Sequence, residues 1–131
     1  MSESLSSVGA ITMFITDTQR SKVFYEQIFG ARPIYEDEDA VAFGFENVVV
    51  NLLRVQAAHE LIAPAPVGGA DAARRFQLTI WVQDTDAVCA QLTEHGVELL
   101  NGPMDREWGS RTAAFADPDG HIWEVAAKIP S

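Results

Sequence analysis

Apolar residues along this chain follow strand-like and helix-like spacings in a fixed order, and that order occurs twice. Ile11-Thr12-Met13-Phe14-Ile15 has the β-branched and aromatic composition of a strand. Asp17 or Thr18 stands where an N-cap is expected, ahead of Val23, Phe24, Ile28 and Phe29 at the spacing of one helix face, and Gly30 ends the run. Pro33 to Tyr35, Val41 to Phe45 and Val48 to Val55 then read as three strands, joined through Glu36-Asp37-Glu38-Asp39 and Glu46-Asn47. Residues 8–56 thus form a β-α-β-β-β module. Residues 57–75, with Pro64, Pro66, Gly68 and Gly69, hold no sustained period and are expected to form a linker. Residues 76–128 repeat the order. Gln77 to Val82 is a strand, Asp84 or Thr85 caps a helix with Val88, Cys89 and Leu92 inward, Gly96 closes it, and Val97 to Leu100 starts the next strands.

The second module ends in a hairpin. Arg111 to Ala116 and His121 to Ala126 flank Asp117-Pro118-Asp119-Gly120, in which Pro118 presets φ, Asp117 bonds forward to the backbone and Gly120 tolerates positive φ. Alternation puts Ile122, Glu124 and Ala126 on one face and His121, Trp123 and Val125 on the other. A carboxylate therefore points out of mid-strand.

The fold class expected is α+β: two β-α-β-β-β modules, each a four-stranded sheet with its helix on one face, the other faces forming a concave cavity. The long linker suits a domain-swapped homodimer. This order of elements, with the segments "FITDTQRSKVFYEQIFG", "WVQDTDAVCAQLTEHGVEL" and "EWGSRTAAFADPDGHIWEV", resembles the glyoxalase/bleomycin-resistance/extradiol-dioxygenase superfamily, or vicinal oxygen chelate fold, from about Val8 to Lys128. The resemblance implies where a metal would be held in metal-dependent members. Matching the modules at Asp17 and Asp84 places Ala10, Asn51, Gln77 and Glu124 at those positions. Only Glu124 is an ordinary transition-metal ligand, so neither a metal nor any other cofactor is expected. Such folds host both enzymes and drug binders.

Glu124's face offers aromatic groups instead. The same alternation adds Thr12 and Phe14, Val49 and Leu53, and Thr79 and Trp81; Trp108 precedes the hairpin and Arg111 begins its first strand. The expected ligand-binding set is Phe14, Asn51, Leu53, Gln77, Trp81, Trp108, Arg111 and Glu124, with Phe14, Trp81 and Trp108 sandwiching a planar molecule. No residue is assigned a catalytic role. Glu124 itself has three readings: a partner for Arg111 across the hairpin, a hydrogen-bond acceptor for a ligand, or a general base. Asp105-Arg106-Glu107 beside Trp108 is read as a polar rim. His59, His95 and His121 are read as surface or capping residues, and Cys89 as a small buried side chain.

Composition narrows the classes further. A 131-residue chain that is 47% apolar is the size of one domain. Its apolar runs are shorter than the roughly 20 residues of a membrane span, and Met1 to Ser7 has no signal-peptide pattern, so a cytoplasmic protein is expected. The formal charge of −10 speaks against nucleic acid and favours a cationic partner, although solubility alone also explains it. The functional expectation is a non-enzymatic protein similar to the bleomycin-resistance branch, sequestering a planar aromatic or cationic natural product such as an enediyne-type drug. The alternatives are a metal-dependent lyase, isomerase or dioxygenase, and a metal-free enzyme with Glu124 as base.

Overall fold

The computed structural model describes residues 3–130 and divides between Ala70 and Asp71 into two compact units, one for each module. The first holds β1 (Ala10–Ile15), α1 (Thr18–Phe29), β2 (Pro33–Glu36), β3 (Ala40–Gly44), β4 (Val49–Arg54) and α2 (Val55–Ile62). Its sheet order is β1-β4-β3-β2, with β1 parallel to β4 and the other pairs antiparallel. The Asp17 carboxylate accepts the Arg20 N–H at 3.1 Å, satisfying one of the donors a helix start leaves free, and Gly30 ends α1 in the left-handed region. Tyr25 of α1 stacks on Phe43 of β3 at 5.8 Å, above a buried layer of Met13, Ile15, Val41, Val50 and Leu52. That layer is one face of the sheet.

The helix α2 lies where a linker was expected to begin. Val55, Ala58 and Ile62 are spaced along one helix face, but Arg54 makes no side-chain cap bond, so nothing marks the start. Its Ala58 is buried in a small apolar cluster with Ala40 and Leu53, against which Phe14, Ala57 and Val67 pack. This contact corrects the linker reading for residues 57–62.

The second unit holds β5 (Gln77–Trp81), α3 (Thr85–Glu94), β6 (Leu99–Asp105), β7 (Ser110–Ala116) and β8 (Ile122–Lys128), in sheet order β5-β8-β7-β6. Parallel pairing again joins the first and last strands, here β5 and β8. Asp84 caps α3 through the Ala87 N–H at 3.1 Å, repeating the Asp17 device, and His95 is the C-cap residue. Ala113, Phe115, Trp123, Val125 and Ala127 are buried on one face of the sheet, and Cys89 and Leu92 are the buried apolar residues of α3.

Two hairpin turns of one design set the register. At the β7–β8 turn Gly120 N–H reaches the Asp117 carbonyl, Asp117 N–H reaches the His121 carbonyl, and Gly120 takes φ 87°. At the β6–β7 turn Gly109 and Arg106 make the corresponding bonds, Gly109 N–H to Arg106 and Arg106 N–H to the Ser110 carbonyl, with Gly109 at φ 93°. Both are three-residue loops closed by a left-handed glycine. The first is tightened by Asp117 Oδ1, which accepts the Asp119 and His121 N–H groups at 2.9 Å each.

Candidate functional site

Register places the candidate residues without reference to function. In the second unit Thr79 pairs with Glu124, Glu124 with Ala114, and Ala114 with Asn101, so these four form one row across β5, β8, β7 and β6. The next row on the same face is Trp81, Ala126, Thr112 and Met104. Ala114, Ala126 and Thr112 are buried, giving a floor of small side chains, while Thr79, Trp81, Asn101 and Met104 around it are exposed. Glu124 is half-buried on this face, and its Oε1 accepts the Thr79 hydroxyl at 2.8 Å.

The β6–β7 turn adds a cation to the same face. Arg106 donates through Nε to Thr112 Oγ1 at 2.9 Å and through Nη2 to Asn101 Oδ1 at 3.1 Å, and its guanidinium lies 5.8 Å from the centre of the Trp108 ring. Because Thr112 and Asn101 belong to the Glu124 face, the guanidinium does too. The Arg-Trp contact contributes about 0.5–1 kcal/mol at an exposed site. Trp81 and Trp108 are 65% and 68% exposed, in contrast with Trp123 at 2%. Two indoles are therefore open to a ligand and one is not.

The first unit carries the same row in a more neutral form. Thr12 pairs with Asn51, Asn51 with Ala42, and Ala42 with Tyr35; the Asn51 amide donates to Thr12 Oγ1 at 3.4 Å. Asn51 thus occupies the place that Glu124 has in the second unit. Phe14 and Leu53, also expected to meet a ligand, pack instead against α2 and Val67. Leu53 is buried in that cluster, whereas Phe14 is only partly buried against it.

Arg111 needs a larger correction. It pairs with Ala127 in the ladder, and alternation puts it on the opposite side of the sheet from Glu124. There it donates to both Asp86 oxygens at 2.9 and 3.1 Å and to Asp105 at 3.0 Å. Those bonds hold Asp86 below the usual carboxylate range and push the guanidinium further up. The reading of Glu124 as Arg111's partner falls, since the two lie on different faces and Glu124 bonds to Thr79. The cation beside Glu124's row is Arg106, assigned from sequence only to a rim. A sequence signal was there: glycine follows Arg106 at the same interval at which Gly120 follows Asp117.

The remaining residues take quieter places. Gln77 is exposed on β5 opposite Ile122. His95 caps α3, His59 is exposed on α2, and His121 takes part in the β7–β8 turn through its backbone. Cys89 is buried, and that burial pushes its thiol up. Asp37 anchors the acidic β2–β3 hairpin by accepting the Asp39 and Ala40 N–H groups and the Tyr35 hydroxyl.

The positions that the family resemblance would give to a metal do not fit one. Ala10 has no donor atom, Asn51 and Gln77 are neutral amides, and one oxygen of Glu124 is already bonded to Thr79. Among the described residues no group of three or more His, Cys, Asp and Glu is placed to hold an ion. No helix among them is long and apolar enough to cross a membrane.

Comparison with known proteins agrees with this architecture. The family model described as Glyoxalase/Bleomycin resistance protein/Dioxygenase superfamily matches residues 7–125. The uncharacterized protein YraH of Bacillus subtilis (strain 168) is 31% identical over 120 residues, covering 88% of this chain and 93% of that protein. A glyoxalase-related enzyme from Fulvimarina pelagi superposes with a TM-score of 0.82 at 26% identity, over 95% of this chain and 89% of that one. A glyoxalase/bleomycin resistance protein/dioxygenase from Nocardioides gives a TM-score of 0.84 at 20% identity, over 99% and 88% of the two chains. The last of these likenesses speaks for the fold alone.

Proposed function

The chain belongs to the glyoxalase/bleomycin resistance protein/dioxygenase superfamily, and from that premise we propose that it is a non-enzymatic binding protein that sequesters a planar aromatic natural product, in the manner of the superfamily's bleomycin-resistance branch. The observation that carries this reading is a sheet face with a floor of small buried side chains, the exposed indole of Trp81 on it and the exposed indole of Trp108 in the adjoining turn beside Arg106, with Glu124 available to orient a polar substituent. Each aromatic stacking contact adds about 0.5–1.5 kcal/mol beyond the area it buries, so two contacts plus burial support micromolar binding. In the same proposal the protein works as a cytoplasmic homodimer. Exposed Ile34 and Tyr35 on the edge strand β2, and Leu100 and Met104 on the edge strand β6, support association.

Tryptophan fluorescence titration with planar antibiotics, enediyne and glycopeptide types among them, tests the reading. Saturable quenching at micromolar concentration, together with protection of a host cell, is expected; no quenching across the panel contradicts it.

One observation favours a second reading, that of a metal-dependent lyase, isomerase or dioxygenase: the Fulvimarina pelagi structure of 0.82 TM-score is a glyoxalase-related enzyme. Metal analysis of protein purified without chelator separates the two. A stoichiometric divalent metal lost on Glu124→Ala supports the enzyme, and metal-free protein that binds an aromatic ligand supports sequestration.

A further inference from the structure

Arg106 differs from the ion-paired cations of this chain in what holds it. Lys22 pairs with Glu36, Arg54 with Asp39, and Arg111 with Asp86 and Asp105. Arg106 is anchored by two neutral oxygens, Thr112 Oγ1 and Asn101 Oδ1, and among the described residues it forms no ion pair with a carboxylate. This occurs in a chain with 19 acidic residues against 9 basic ones. The nearest acids in sequence do not neutralise it, because Asp105 is committed to Arg111 and Glu107 is exposed in the turn.

The two anchors also fix the direction of the guanidinium. Arginine has five N–H donors arranged as a planar fork. Nε and one hydrogen of Nη2 are used on the side edge, toward Thr112 and Asn101, and Trp108 lies against the group. The end edge, formed by Nη1 and the second hydrogen of Nη2, is left with parallel donors at the spacing of a carboxylate's two oxygens. We infer that Arg106 is an anion-recognition site on the Glu124 face, and that the ligand is a planar aromatic molecule bearing a carboxylate, taken bidentately by Arg106 while Glu124 accepts a hydrogen bond from a hydroxyl or amine on the same molecule. The inference rests on the binding reading given above and sharpens its ligand class.

The overall negative charge points the other way, toward cations, and the two effects differ in range. At physiological salt the screening length is about 8 Å, so distant carboxylates contribute little at the fork, whereas a bidentate contact acts at hydrogen-bond distance. Glu124 lies across Ala114 from the Asn101 anchor, roughly 10 Å away at about 4.8 Å per strand, which leaves room for a ligand between acid and base. Its Thr79 bond leaves the second oxygen of the carboxylate to accept.

A matched pair of probes tests the assignment on the whole protein: naphthalene-2-carboxylate and naphthalene-2-carboxamide, titrated while the amide, indole and arginine Nε–H resonances are followed by NMR. The carboxylate is expected to bind at least tenfold more tightly than the amide and to shift the Arg106 Nε–H. Arg106→Gln and Arg106→Lys are both expected to reduce that preference to within about twofold. Equal binding of the two probes overturns the anion assignment and leaves the aromatic-binding reading standing. If neither probe binds but a polycyclic cation does, the assignment again falls alone; if nothing planar binds, both fall. The comparison on unmutated protein stands even if a variant fails to fold.

Discussion

Asp117→Ala removes the side-chain acceptor that tightens the β7–β8 turn. Asp117 is 5% exposed, and its Oδ1 accepts the Asp119 and His121 N–H groups at 2.9 Å each. Alanine keeps the backbone bonds of the turn but leaves those two donors to whatever water can reach them. An unsatisfied buried donor costs about 1–3 kcal/mol; with partial water access at the turn, a total loss of about 2–4 kcal/mol is expected. With a urea m-value of about 2 kcal/mol/M, the middle of the usual range for a small protein, the midpoint falls by roughly 1–2 M. Asp117→Asn retains an oxygen acceptor at the same place and should remain within about 1 kcal/mol of the parent. Urea melts followed by the fluorescence of the buried Trp123 measure both variants. A loss below about 0.5 kcal/mol for Asp117→Ala would refute the claim that this carboxylate holds the turn, and with it the account of how Glu124 is set in register.

Three further outcomes are expected. Gly102 in β6 has φ 87°, and a Cβ there would run into the Thr112 carbonyl oxygen and come within 2.7 Å of Ala113 Cα, so Gly102→Ala should destabilise by about 2 kcal/mol or more, read from the same melts. The Cys89 thiol, buried and pushed up by that burial, should resist iodoacetamide in the folded protein at pH 8 and react rapidly in urea, as mass spectrometry of timed samples would show. Glu36, Asp37 and Asp86 are held below the usual carboxylate range by Lys22, the Tyr35 hydroxyl and Arg111 respectively. Depressed folded-state values stabilise above the unfolded pKa, so that contribution is present at neutral pH and is lost as pH falls below about 4; urea midpoints measured from pH 6 to pH 3 should decline accordingly.

Local chemistry was legible in the sequence wherever one residue dictates one conformation. Asp17 and Asp84 cap their helices, and Asp117 to Gly120 make the turn, because a short carboxylate and a glycine leave the backbone few alternatives. Alternation along β5 and β8 then correctly put Thr79, Trp81 and Glu124 on one face. Features that depend on register across strands were less legible. Proximity in the hairpin makes Arg111 one possible partner for Glu124, yet the ladder pairs it with Ala127 and turns it to the other side. The helix α2 was hidden because Val55 continued the apolar run of β4, no capping side chain marked its start, and the prolines and glycines after Ile62 coloured the whole segment. Its packing on Phe14 and Leu53 is a tertiary contact that periodicity in either segment does not announce.

The most direct test of the central claim is a titration of uniformly ¹⁵N-labelled protein with a planar aromatic ligand, followed at the three indole N–H resonances. Trp81 and Trp108, both largely exposed, are expected to shift together and saturate, while Trp123, buried on the opposite face of the sheet, stays in place. Saturable binding that leaves Trp81 and Trp108 unmoved would contradict the account.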